Sequence, residues 1–140
     1  MNRRTRIKIC GLRTPADVSA AAQAGADAVG FVFYAPSARA VTVPAAAELA
    51  QGLPPFVVPV GLFVNAAPAE IEAALAAIPG LLLQFHGDES VADCERWGRP
   101  YLRAVAMRPG VRLVDCALQF PNISQRSNCS VQTIPKPNGW

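Results

Sequence analysis

The chain has 140 residues, 51% of them hydrophobic and 16% charged, with a formal net charge of +3. That is enough apolar material for one domain with its own core, and it excludes a disordered segment. Part of the positive charge sits in Arg3, Arg4, Arg6 and Lys8 and the rest is scattered; with no basic stripe interleaved with aromatics, nucleic acid is not an expected partner.

In chain order, the first element is the run Arg6-Ile7-Lys8-Ile9-Cys10, whose β-branched residues predict a strand. Thr14-Pro15-Ala16-Asp17 then opens a helix that ends at Ala24-Gly25, with proline in the first turn and glycine after the last. A second strand is predicted from Ala28 to Tyr34 and a second helix from Val43-Pro44 to Leu53. Val57 to Val64 supplies the third strand; Pro59 has no N–H for a ladder, so pairing is expected to start at Val60. Ala67-Pro68-Ala69-Glu70 opens a third helix that stops at Pro79-Gly80, ahead of a fourth strand from Leu81 to His86. Ser90 to Trp97 is a fourth helix, Tyr101 to Val105 a fifth strand and Gly110 to Gln119 a fifth helix.

Apolar strands alternating with Ala-rich helices, about every 25–30 residues, imply parallel strands covered by helices. Periodicity does not separate a doubly wound sheet from a (β/α)8 barrel. The first strand, however, lacks the Gly-x-Gly-x-x-Gly turn of a dinucleotide fold.

After residue 121 alanine vanishes and Ser, Asn, Gln and Pro take over. The run Ser130-Val131-Gln132-Thr133-Ile134 could pair weakly before Pro135 and Pro137 stop it. The expected organisation is an α/β domain over residues 1–121 and a divergent, largely disordered tail over residues 122–140. The abrupt change of composition suggests a coding frame interrupted by a frameshift or an early stop.

No apolar run is long enough to span a bilayer, and the basic N-terminus is not followed by a cleavable leader. Cys10, Cys94, Cys116 and Cys129 are spaced for neither a zinc site nor a disulfide framework. The expectation is reduced thiols in the cytoplasm and no membrane partner.

In parallel βα architectures the reactive groups sit at the carboxyl ends of strands. Here that rule selects Cys10, the turn from Tyr34 to Arg39, Asn65 and His86-Gly87-Asp88-Glu89. These segments carry a resemblance. Lys8-Ile9-Cys10-Gly11-Leu12, Gly25-Ala26-Asp27-Ala28-Val29-Gly30-Phe31-Val32-Phe33-Tyr34 and Ser37-Ala38-Arg39 resemble the opening motifs of phosphoribosylanthranilate isomerase. So do Leu53-Pro54-Pro55-Phe56, Val60-Gly61-Leu62-Phe63-Val64-Asn65 and Leu83-Gln84-Phe85-His86-Gly87-Asp88-Glu89. Order and spacing agree with the family over roughly residues 5–121.

The resemblance implies an incomplete (β/α)8 TIM barrel of about five βα units, followed by an irregular tail. It also implies an enzyme of tryptophan biosynthesis that needs no cofactor and no metal. The reaction is an Amadori rearrangement of a phosphorylated small molecule, N-(5'-phosphoribosyl)anthranilate. An acid opens the ribose ring and a base removes the proton at C2, so two groups in opposite protonation states are required.

Cys10 matches the family's base. A free thiol is mostly protonated near neutrality, and Lys8, two residues earlier on the same strand face, could assist it. Arg39 matches the residue that pairs with the anthranilate carboxylate through its planar fork. Ala40 follows where the family often has an aromatic, so ring packing there is not implied. His86, the only histidine, and Gln84 are candidate substrate-lining residues, along with Lys8. Each has a plainer reading: a buried cysteine, a solvated arginine, and strand-end polar groups that fix loop geometry. Asp88 and Glu89 read as capping groups for the next helix, and Asn65 as a loop residue that helps cap the third.

The family's acid lies in a Leu-Leu-Leu-Asp segment at a sixth strand, followed by Gly-rich phosphate loops; the 140 residues contain no such segment. Impaired activity and self-association through exposed barrel edges are therefore expected. The alternative is a non-catalytic fragment that acts only by binding or self-association; a different small (β/α) enzyme acting on a phosphorylated sugar ranks last.

Overall fold

A computed structural model describes residues 4–106, 109–120 and 131–134. Among these residues six strands alternate with five helices: β1 (Lys8–Cys10), α1 (Pro15–Gln23), β2 (Ala28–Phe33), α2 (Val43–Gln51), β3 (Val58–Phe63), α3 (Pro68–Ala77), β4 (Leu82–Phe85), α4 (Val91–Glu95), β5 (Tyr101–Ala106), α5 (Leu113–Gln119) and β6 (Val131–Ile134). Every neighbouring pair is parallel, and the strand order is β1-β2-β3-β4-β5-β6. A doubly wound sheet reverses its order at a switch point; this one does not, so it winds in one direction like part of a (β/α)8 barrel.

Helix starts follow the expected chemistry. Thr14 Oγ1 accepts the Asp17 N–H at 3.2 Å, and Thr42 Oγ1 accepts the Ala45 N–H at 3.4 Å, each just ahead of a helix with proline in its first turn. Ala67 has no side chain for that task, so Glu70 Oε2 reaches back to the Ala67 N–H at 2.9 Å.

Two expectations need correction. Pairing of β3 starts at Val58, not Val60. Val58 donates to the Asp27 carbonyl on the β2 side, so the Pro59 nitrogen faces β4, whose pairing begins only at Val60–Leu82. The missing N–H falls where no partner strand exists. Glu89 and Asp88 do not cap α4; Ser90 does, with Asp93 returning to the Ser90 N–H at 3.0 Å. The run expected to pair weakly supplies β6 (Val131–Ile134), in register with Arg103–Ala106 of β5. The remainder of the expected disordered tail lies outside the described residues.

The register divides the side chains between two faces. Val29, Phe31, Phe63, Leu83, Phe85 and Tyr101 turn outward and pack with helix residues such as Val18, Ala46, Ile71, Ala74 and Cys94 into one core. Gly30, Val60 and Leu82 lie in register on the other, inner face, as do Val32, Leu62, Gln84 and Leu102. Cys10 pairs with Gly30 and Lys8 with Ala28, which places both on this inner face. No helix among the described residues is long and apolar enough to cross a membrane.

Candidate active site

The carboxyl ends of β1 to β4 gather the predicted residues at one rim. Cys10 is the last residue of β1 and is partly buried. Its thiol presses over Gly30 of the neighbouring strand: a Cβ built there would lie 2.7 Å from Sγ. Only glycine leaves the sulfur that space on the inner face.

Arg39 sits on the return loop after β2. The Arg13 guanidinium donates to the Ala38 carbonyl at 2.9 Å, Ser37 Oγ accepts the Arg39 N–H at 3.2 Å, and Ala40 bridges back to Val32. The Arg39 stem lies across Gly11, whose φ is +84° and where a Cβ would meet Cδ at 2.6 Å. Arg39 Nη1 donates to the Cys10 carbonyl at 3.2 Å. Thiol and guanidinium therefore occupy the same end of the sheet, and the exposed guanidinium keeps further N–H groups for a planar anion.

Lys8 lies one inner-face step below Cys10. Its Nζ is buried and has no hydrogen-bond partner among the described residues. An unpaired buried ammonium costs stability, and groups kept at such a cost tend to serve a ligand. Lys8→Met, of similar length but apolar, is expected to raise stability by about 1–3 kcal/mol. A urea midpoint below that of the unsubstituted chain would contradict this.

His86 directly follows β4, and its N–H donates to the Phe63 carbonyl at 2.9 Å. Its Nδ1 is buried without a hydrogen-bond partner among the described residues. Burial pushes the imidazole below its ordinary pKa; Glu89 opposes this, while the Lys8, Arg103 and Arg39 cations add to it. The ring is thus held neutral in a cleft rich in positive charge, a setting suited to anionic groups. Gln84, two residues earlier on the same face, is only 1% exposed and forms the polar floor rather than an open wall.

Sequence reasoning missed one cluster at this rim. Glu89 accepts from the Asn65 N–H at 2.8 Å, the Gly87 N–H at 2.9 Å and Arg103 Nη1 at 2.6 Å. Asn65, at φ +48°, turns its Oδ1 to the Asp88 N–H at 2.8 Å and does not cap α3. A charged residue inside the apolar run of β5 was the available signal. A cavity of about 620 Å³ opens at the other end of the sheet, lined by Leu53, Pro54, Pro55, Pro59 and Pro79 among others. It has no charged side chain in its walls and is remote from the rim.

The family model for N-(5'-phosphoribosyl)anthranilate (PRA) isomerase matches residues 7–122. An N-(5'-phosphoribosyl)anthranilate isomerase of Methylibium petroleiphilum is 68% identical over 117 residues, which are 84% of this chain and 55% of that protein. One of Dechloromonas aromatica is 57% identical over 119 residues, 85% of this chain and 57% of that protein. The crystal structure of the Thermotoga maritima phosphoribosylanthranilate isomerase superposes with a TM-score of 0.78 at 30% identity, covering 97% of this chain and 64% of that one. A structure of such an isomerase in complex with reduced 1-(o-carboxyphenylamino)-1-deoxyribulose 5-phosphate gives 0.76 at 30% identity, covering 94% and 66%. The chain spans about half the length of the curated relatives it matches.

Proposed function

Because the chain belongs to the N-(5'-phosphoribosyl)anthranilate isomerase family, we propose that its rim is the leading part of the site for that Amadori rearrangement. In this reading Cys10 is the base that takes the proton from C2 of the opened ribose. Arg39 pairs with the anthranilate carboxylate and fixes the ring beside the reacting carbons. Lys8 and His86 line the cleft that receives the anionic groups, above the Gln84 floor. The observation that carries the reading is the Arg39 guanidinium bonded to the carbonyl of Cys10 itself, which sets clamp and base side by side. The enzyme is expected to work in the cytoplasm on a phosphorylated small molecule, without a cofactor.

The ring-opening acid is assigned, by family pattern, to a Leu-Leu-Leu-Asp segment outside these 140 residues. Titration with reduced 1-(o-carboxyphenylamino)-1-deoxyribulose 5-phosphate is therefore expected to give saturable binding, while the phosphoribosyl substrate gives no turnover above background. Absence of binding would remove the reading; turnover lost in Cys10→Ser would keep the base and overturn the assignment of the acid.

The β1 edge carries Ile7 and Ile9, 46% and 39% exposed. An apolar unpaired edge favours association, so light scattering should find species larger than one chain, reduced by Ile9→Lys. A strict monomer at all concentrations would refute this.

A further inference from the structure

Resting on the reading that the rim is a binding site, we propose that Glu89 and Arg103 are positioning residues: their ion pair ties the turns after β3 and β4 to β5 and thereby fixes His86 in the cleft. Glu89 holds two backbone N–H groups, one on each turn, and the guanidinium on β5. Arg103 uses its second arm on the Gly87 carbonyl at 2.7 Å, and its guanidinium lies over the Phe120 ring at 5.9 Å. Gly87 is the residue after His86, so it is gripped at both its N–H and its carbonyl. The side chains are 7% and 12% exposed, which keeps the pair from exchanging freely with water.

The geometry is over-determined for a helix cap and aimed at a turn instead. A carboxylate at α4 would need one backbone N–H; this one bridges three elements. Asn65 closes the same knot from the other side through the Asp88 N–H. His86 has its backbone held by Phe63 on one side and Gly87 held by the pair on the other, and so the direction in which its side chain leaves the backbone is fixed. The charged groups that act on its ring are Glu89, Lys8, Arg103 and Arg39. Removing Glu89 removes the one carboxylate among them and leaves three cations.

His86 is the sole histidine, so its Cε1 proton gives one unambiguous NMR signal in the full chain, whether or not the chain binds or turns over anything. In Glu89→Gln the signal is expected to move and to titrate at lower pH than in the unsubstituted chain. Binding of the reduced product analogue should weaken about tenfold, equal to about 1.4 kcal/mol, at temperatures where circular dichroism shows the variant folded. Should Glu89→Gln not fold, Arg103→Lys serves: it keeps the charge and loses the fork to Gly87, so the His86 resonance should shift and affinity should fall with little change in titration. Glu89→Asp is expected to restore the titration but not the affinity. Wild-type His86 shifts and titration in the folded variants would overturn the proposal. An unsubstituted chain that binds no analogue while His86 responds as stated would instead count against the functional reading alone.

Discussion

Phe63→Ala is expected to cost about 3–5 kcal/mol and to remove most of the cooperative unfolding transition. Phe63 is fully buried on β3, at the middle of the sheet, and stacks on Phe33 of β2 with ring centroids 5.2 Å apart. Its ring fills the space over Gly61, where a Cβ would come within 2.9 Å of it and 3.0 Å of Phe33. Truncation therefore opens a void that the rigid strands on either side cannot close, and the lost transfer energy and the cavity add. Phe56, only seven residues away, is 94% exposed. Phe56→Ala should stay within about 0.5 kcal/mol. Urea denaturation followed by circular dichroism separates the two: the midpoint should collapse for Phe63→Ala and hold for Phe56→Ala. Equal effects would mean that the core does not lie between the outward strand face and the helices.

Much of this core is legible in the amino-acid sequence. Ala28 to Phe33 and Leu82 to Phe85 are near-continuous apolar runs bounded by Gly, Pro or charge, and such runs mark strands covered on both faces. The Thr14-Pro15 opening located α1 and Val43-Pro44 located α2 because a proline in the first turn is local chemistry, while the Thr42 cap emerges only in the structure. Pro59 misled, because its cost depends on which neighbour its nitrogen faces, and that is a property of the sheet. Strand order was equally hidden: periodicity is the same in a singly and a doubly wound fold, and only the pairing partners tell them apart.

The site divides in the same way. Cys10 and His86 follow from the strand-end rule, and Arg39 from its motif, each readable from a single segment. Glu89 and Arg103 lie 14 residues apart on a turn and a strand, so no local pattern joins them. Read locally, Glu89 is a helix cap; the competing and stronger partners come from β3 and β5. Lys8 was legible as a neighbour of Cys10, but the isolation of its Nζ is a consequence of the curled inner face.

The second large effect is on binding. Arg39→Ala should weaken the reduced product analogue about 100-fold, since a charge-assisted pair contributes roughly 1.5–3 kcal/mol and each 1.4 kcal/mol is tenfold. The loss should fall on affinity and not on folding, because the guanidinium is exposed and, among the described residues, its one hydrogen bond is to the Cys10 carbonyl. Arg39→Lys should recover only part of the binding: it restores charge but not the planar pair of donors that fits a carboxylate. The effect should also shrink as salt is added, as expected for an exposed pair. Calorimetric titration at two ionic strengths reads all of this. Unchanged affinity in Arg39→Ala would mean that the loop after β2 only buttresses the Cys10 backbone, and the carboxylate would then have to be met by Lys8 and His86 on the inner face.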